Sequence, residues 1–228
     1  MDRRPHVGTL REGPLHAALK RWYAEEGDLV EEPVDGFVID LVRDGVLIEI
    51  QTRGFASMAR KLGMLLADHP VRVVHPIAVD RWIVKVDDDG VVTSRRRSPK
   101  HGVPADVFGE LVGVTAHLAH PGLTVELVLT REEELRRHEP GRAWRRGGWV
   151  VQERRLVEVV DRVVVGGPAG WSSLLPADLP DPFTTADLAE QLGRPRRLGQ
   201  QMAYCLRHAG VLVAVGKRGG AVLHAVTR

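Results

Sequence analysis

Two Asp-Gly pairs constrain most strongly how this chain can fold. Asp35-Gly36 and Asp44-Gly45 separate three short runs rich in aliphatic residues, at positions 29–34, 37–42 and 46–50. Asp-Gly between such runs is typical of a two-residue β-hairpin turn, because both turn residues tolerate positive φ. The sequence therefore predicts an antiparallel meander of three strands.

Segments with helical spacing lie on both sides of this meander. Apolar residues recur every three to four positions over 15–22 and again over 55–65, and a β-rich run follows at 71–77. The predicted order is helix, three strands, helix, strand, which indicates an α/β fold. Further strands are predicted at 81–86, 91–94 and 124–129, and a further helix near 105–118.

The second half of the chain divides into a connecting region and a C-terminal module. Residues 133–182 are basic at first, carry a predicted helix at 156–165, and end in a proline-containing linker. Residues 183–228 are predicted to form two helices joined by a turn and then a hairpin with a basic tip, the layout of a winged helix-turn-helix. We therefore predict boundaries after residues 132 and 182.

Composition excludes several classes of protein. The 228 residues are 43% hydrophobic and 27% charged, which is typical of a folded chain rather than a disordered one. Since the sequence has no apolar run of 18 residues and no secretory signal, we expect no membrane span and a cytoplasmic location. A single cysteine, Cys205, excludes an intrachain disulfide and a zinc site built on paired cysteines.

Charge is unevenly distributed along the chain. The net charge is +2, but residues 183–228 contain seven Lys or Arg against two acidic residues, so this module carries +5 and the remainder −3. A basic module on an acidic body favours a polyanionic partner. A solvated, arginine-rich surface is the alternative.

The second hairpin places two carboxylates side by side. If Asp44-Gly45 is a two-residue turn, Leu41 faces Ile48 and Asp40 faces Glu49, and Gln51 projects to the same side as both acids. Like charges directly opposite one another destabilise a sheet. A divalent metal with oxygen ligands would compensate for the repulsion. In the alternative interpretation, the side of the hairpin that carries the two acids is simply exposed to solvent, and Arg43, Arg53 or Lys61 neutralises their charge.

Segments 36–40 (GFVID) and 47–52 (LIEIQT), set in this order of elements, resemble the PD-(D/E)XK nuclease superfamily. The resemblance covers residues 12–77 and implies a restriction-endonuclease-like α-β-β-β-α-β core, with residues 1–132 as the nuclease domain. It implies that Asp40, Glu49 and the carbonyl of Ile50 hold Mg²⁺ or Mn²⁺. Gln51 stands where the family usually has a lysine, and the resemblance assigns it the positioning of water.

Other members of the implied site are less closely determined. Lys61 on the second helix would supply the missing cation, or it is an ordinary exposed helix lysine. Glu12 best matches the family's first-helix acid, with His16 one turn later, although Glu25, Glu26 and Glu31 compete for that role. The implied activity is a metal-dependent DNA endonuclease acting in defence or repair. The alternatives are a catalytically inactive DNA-binding protein or regulator, and a nuclease that acts on RNA.

Candidate nucleic-acid contacts lie mainly in the C-terminal module. Arg and Gln at the start of a recognition helix can bind base edges, and cations at the tip of a wing can bind phosphate. The candidates are Arg194, Arg196, Arg197, Gln200 and Gln201 in the second helix, Lys217 and Arg218 in the hairpin, and Arg145 and Arg146 in the connecting region. The alternative role is a protein contact, including a homodimer.

Overall fold

The computed structural model describes residues 13–227. The first six elements are α1 (Pro14–Tyr23), β1 (Leu29–Val34), β2 (Phe37–Arg43), β3 (Val46–Ile50), α2 (Ala59–Leu65), which follows a 3-10 turn, and β4 (Val71–Val86). The order predicted from the sequence is therefore the order observed, and the fold is α/β. Within residues 13–227, none of the helices has both the length and the apolar character needed to span a bilayer.

The later elements extend this unit. They are β5 (Val92–Arg97), α3 (Phe108–Leu111) between two 3-10 turns, β6 (Leu123–His138), β7 (Trp149–Gly166), α4 (Gly167–Ser172), α5 (Thr185–Gln191), α6 (Arg196–His208), β8 (Leu212–Arg218) and β9 (Ala221–Val226). The long helix predicted at 105–118 is instead the short α3 flanked by 3-10 turns, and the two strands predicted at 71–77 and 81–86 are one strand, β4.

Seven strands form one mixed sheet in the order β1-β2-β3-β4-β6-β7, with β5 paired to β4. Strands β3, β4 and β6 are parallel to one another, and the remaining pairs are antiparallel. Both Asp-Gly turns have positive φ at each turn residue, as a type I′ turn requires. The predicted register of the second hairpin is confirmed for Leu41 with Ile48 and for Arg43 with Val46, but the ladder does not extend to the predicted pair of Asp40 with Glu49.

Both faces of the sheet are buried. Helix α1 covers one face, where Leu19 and Ile48 belong to the same cluster. Helices α2, α3, α4 and α6 cover the other face, where Leu47 and Phe108 belong to a larger cluster. The structure buries the central part of both sides, as is usual where parallel strands are covered by helices.

The helix predicted at 156–165 is wrong, because these residues belong to the 18-residue strand β7. Strand β7 pairs along β6 through three register shifts, and the ladder skips Val157 and Val160. Each extra residue interrupts the period-2 alternation, so the apolar positions fall three to four apart and resemble a helix. The predicted boundary after residue 132 falls inside β6, and residues 133–138 and 149–166 are part of the sheet rather than a connection.

The C-terminal module packs onto the sheet domain. Its two helices and hairpin occur in the predicted order, and Thr184 caps α5 through a capping box with Asp187. Leu188, Met202 and Leu206 share the larger core cluster with residues of α2 and α3. The module is therefore joined to the sheet domain by a continuous apolar core and is not a separately tethered unit.

Candidate active site

An open cleft of about 920 Å³ lies where α1, the ends of β2 and β3, α3 and the first half of β7 meet. Helix α1 contributes His16, strands β2 and β3 contribute Asp40 and Glu49, and the loop after β3 contributes Gln51. The structure thus brings together residues that the sequence analysis selected from four separate elements. Glu12 lies outside the described residues.

Asp40 is held in its charged form. Its Oδ2 atom accepts a hydrogen bond from the main-chain N–H of Ile50 at 2.8 Å and lies 3.3 Å from Nε2 of His16. Nζ of Lys20 lies 4.0 Å from Oδ1. Burial alone would raise the pKa of Asp40, but hydrogen bonds from His16 and Ile50 and the charge of Lys20 outweigh burial and lower the pKa below its ordinary value.

The pKa of Glu49 is shifted in the opposite direction to that of Asp40. The side chain of Glu49 is only 12% exposed, and burial, with a smaller contribution from repulsion by Asp40, raises its pKa to about 7 although Lys61 opposes the shift. Nζ of Lys61 donates a hydrogen bond to Oε1 of Glu49 and another to the carbonyl of Val38 at 2.8 Å. Lys61 is therefore not an ordinary exposed helix lysine, because it reaches back from α2 to the acid pair.

Gln51 is fixed through its main chain and its side chain. Its N–H donates to the carbonyl of Val74 at 2.8 Å, and its side-chain amide donates to the carbonyl of Gly54 at 2.9 Å. Its own carbonyl lies 2.6 Å from Nδ1 of His75. Burial lowers the pKa of His75 to about 4, so the ring is neutral at pH 7 and Nδ1–H donates to this carbonyl. No pattern in the sequence points to His75.

The rim of the cleft carries further charged residues. Glu31 pairs with Lys20 at 2.9 Å, and both line the cleft together with Arg53 and Arg154. Arg43, by contrast, binds Asp28 and Glu25, so it does not neutralise the hairpin acids and Glu25 is engaged elsewhere. The place of Arg154 at the cleft was not predicted, because β7 lies in a region predicted to be a connection.

The donor set fits a hard divalent cation. Within residues 13–227, no group of three or more His, Cys, Asp and Glu side chains is placed to hold a metal ion. The implied ligands are instead two carboxylates and one main-chain carbonyl, all oxygen donors of the kind that Mg²⁺ prefers. Burial raises the pKa of Glu49 more than Lys61 lowers it, so the groups around this carboxylate do not fully stabilise its ionised form. A divalent cation would supply that stabilisation.

Four of the candidate nucleic-acid contacts point to solvent in the C-terminal module. Arg196, Arg197 and Gln200 are exposed on the first turns of α6, and Lys217 is exposed near the turn between β8 and β9. Arg218 is also exposed, although its guanidinium pairs with Asp187.

Two other candidates in this module have structural roles. Arg194 donates to the carbonyl of His101 at 2.6 Å and lies 3.1 Å from Oδ2 of Asp106, because the turn between α5 and α6 packs against that loop. Gln201 is half-buried beside Gly109 of α3, since it lies on the inner side of α6. Both residues therefore help to pack the module against the sheet domain, and the prediction that they contact DNA stays a prediction.

Arg145 and Arg146 lie at the tip of the β6–β7 hairpin. The guanidinium of Arg145 lies 5.0 Å from the ring centroid of Trp144, and this tryptophan is 79% exposed. Trp144 therefore does not pack in the core. The tip is therefore a cationic and aromatic surface open to solvent.

Comparison with known proteins gives one family and one relative. The model of the family described as "Domain of unknown function (DUF8091)" matches residues 13–166, from the start of α1 to the end of β7. A protein of Treponema pallidum (strain Nichols), described as "Uncharacterized protein", is 30% identical over 220 residues, which cover 96% of this chain and 86% of that protein. No solved structure matches the chain.

Proposed function

The chain belongs to the DUF8091 family, and we propose that it is a metal-dependent endonuclease that hydrolyses phosphodiester bonds in DNA. The observation that carries this proposal is the meeting of Asp40 and Glu49 at an open cleft, with the Lys61 ammonium bound to Glu49. Cleavage of circular DNA in Mg²⁺, and its loss in EDTA, test it.

The arrangement of the elements supports a restriction-endonuclease-like core. Three antiparallel strands lead through α2 into β4, which is parallel to β3, and α1 and α2 lie on opposite faces of the sheet. Both acids lie on the central hairpin of this unit. A rigid sheet is a suitable support for a metal site, since the ligand positions are fixed by the ladder.

The chemistry of the site follows from its residues. Asp40, Glu49 and the carbonyl of Ile50 would hold Mg²⁺ or Mn²⁺, which, when bound, lowers the pKa of a coordinated water and neutralises charge on the phosphate. His16 and Lys20 keep Asp40 ionised. Gln51 would position the attacking water through its amide, and Lys61 supplies a positive charge that Gln51 lacks.

Metal affinity should increase with pH around neutrality. Glu49, with a pKa of about 7, is mostly protonated at pH 6 and must lose this proton to bind a cation. Asp40 is ionised throughout this range, because its pKa is lowered. Titration calorimetry with Mn²⁺ should therefore give about ten-fold tighter binding at pH 8 than at pH 6. Equal affinity at the two pH values would contradict the assignment of Glu49 as a ligand.

The exposed cations of α6 support DNA binding by a winged helix. Short helix α3 connects this module to the cleft, since Glu110 lines the cleft and the neighbouring Gly109 faces Gln201 of α6. The module therefore packs against the element that lines one side of the cleft.

Replacing Arg196 and Arg197 with Ala should weaken DNA binding and reduce its salt dependence. Loss of two phosphate contacts would lower the slope of log K against log salt by roughly 1.8. Arg207→Ala is the matched control, because Arg207 is exposed at the opposite end of the same helix. Fluorescence anisotropy at several salt concentrations measures the slope, and equal slopes for the double variant and the control would favour a protein-contact role.

A catalytically inactive DNA-binding protein is the second candidate function. It is favoured by one observation, that the amide of Gln51 is engaged with Gly54 and carries no charge. Such a protein would bind DNA with salt-sensitive affinity and would cut neither DNA nor RNA in any metal.

A further inference from the structure

Strand β7 brings an arginine to the same cleft as the acid pair. Arg154 lines the cleft with Asp40, Glu49 and Gln51, although it follows them by more than one hundred residues in the sequence. We propose that Arg154 binds a phosphate group of the DNA backbone beside the bond that is cut. This inference rests on the proposed endonuclease function.

The guanidinium of Arg154 is only loosely held by the protein. Its side chain is 42% exposed, and its Nε atom lies 3.9 Å from Oε2 of Glu134, beyond hydrogen-bond distance. The buried Glu134 is already served by Arg136, which donates from Nε at 2.8 Å, and by Arg81 at 3.5 Å. Arg154 is therefore not needed to neutralise Glu134, and its donors face the cleft.

Arg154 lies close to the residue that holds Gln51 in place. Its charge contributes to the lowered pKa of His75, although burial contributes more, and His75 binds the carbonyl of Gln51. The guanidinium thus lies within electrostatic range of the residue that fixes Gln51.

The negative charges of the cleft explain why DNA binding there needs a positively charged side chain on β7. A phosphodiester that approaches Asp40 and Glu49 is repelled by their two carboxylates. A metal ion held by these acids would offset the repulsion only in its immediate surroundings. Arginine presents a planar set of donors that matches two phosphate oxygens. Arg154 on one side of the metal position would therefore hold the backbone while the acids hold the metal.

The test compares Arg154→Ala and Arg154→Lys with Arg155→Ala. Arg155 is the matched control, because it is 54% exposed, points to the other side of β7, and binds Glu153 at 2.6 Å. Two properties of the full-length protein are measured: the single-turnover rate on a DNA duplex in Mg²⁺, and the salt dependence of duplex binding in EDTA. All four proteins are first compared by circular dichroism.

We expect Arg154→Ala to lower the rate about 100-fold and the salt slope by about 0.9, the contribution of one phosphate contact. Arg154→Lys should restore most of the slope and little of the rate, and Arg155→Ala should change neither. If the wild type binds DNA without cutting it and only Arg154→Ala lowers the slope, the phosphate contact stands and the endonuclease proposal fails. If Arg154→Ala matches Arg155→Ala in both measurements, or the wild type does not bind DNA, the inference is overturned.

Discussion

Replacing Glu49 with Gln should lower metal-dependent cleavage by at least about 1,000-fold while DNA affinity in EDTA changes by less than about three-fold. The substitution removes one of the two carboxylates that would hold the metal. It should not unfold the protein, because glutamine has nearly the same size as glutamate and its side-chain oxygen can still accept the hydrogen bond from Lys61. Single-turnover kinetics and anisotropy measure the two effects.

The matched control is Glu153→Gln. Glu153 lines the same cleft, but its carboxylate pairs with Arg155 rather than with a residue that contacts the acid pair. We expect this variant to cut within a few-fold of the wild-type rate. Cleavage by Glu49→Gln at the wild-type rate would rule out the assigned metal site, whatever the control does.

Trp171→Ala should lower the free energy of unfolding by about 3–5 kcal/mol, the usual cost of deleting a buried aromatic side chain. Trp171 is fully buried in α4, and its ring centroid lies 6.1 Å from that of Phe108. Its indole N–H donates to the carbonyl of Leu118 at 2.9 Å, so the substitution also leaves a buried acceptor unpaired. A urea titration should show a midpoint lower by roughly 1–2 M.

Trp144→Ala provides the comparison for this prediction. The same side chain is deleted at a position that is 79% exposed, so stability should change by less than about 0.5 kcal/mol. Similar destabilisation by both substitutions would contradict the packing of α4 against α3. Helix α3 also carries Glu110, which lines the cleft. We therefore expect Trp171→Ala to lower DNA cleavage as well, under conditions near the unfolding midpoint of this variant.

The hairpin and its acid pair were predictable because their determinants are local. Asp44-Gly45 sets a two-residue turn, and this turn alone fixes the register that places Asp40 near Glu49. The helices on either side have clear apolar spacing and are found as expected. Local turn chemistry and periodicity were therefore sufficient for the region from residue 15 to 77.

The rest of the site depends on contacts between distant segments. Lys61 would be exposed on an isolated helix, and only the packing of α2 on the sheet brings it to Glu49. The position of Arg154 beside the acid pair was not predictable, because the bulges of β7 give Val157 and Val160 a helical spacing and conceal the strand. Nothing in the local sequence distinguishes His75 from other residues of a buried strand. Only the pairing of β4 with β3 brings its ring to the carbonyl of Gln51.

The C-terminal module illustrates a different limit of sequence reasoning. Composition identified its basic character, but could not distinguish a cation that faces solvent from one that fastens the module to its neighbour. Arg196 is exposed, whereas Arg194, two residues earlier, is bound to the loop containing Asp106. The difference arises from the core shared with α3, which sets the side of the module that faces the sheet domain.

The most direct measurement is incubation of the wild-type protein with supercoiled, linear, single-stranded and branched DNA and with RNA, each in Mg²⁺, Mn²⁺ and EDTA. We expect metal-dependent cutting of at least one DNA substrate and none in EDTA. The preferred substrate would identify the class on which the enzyme acts. Tight, salt-sensitive binding without cleavage of any substrate in either metal would contradict the endonuclease and indicate a DNA-binding protein with Asp40 and Glu49 as non-catalytic residues.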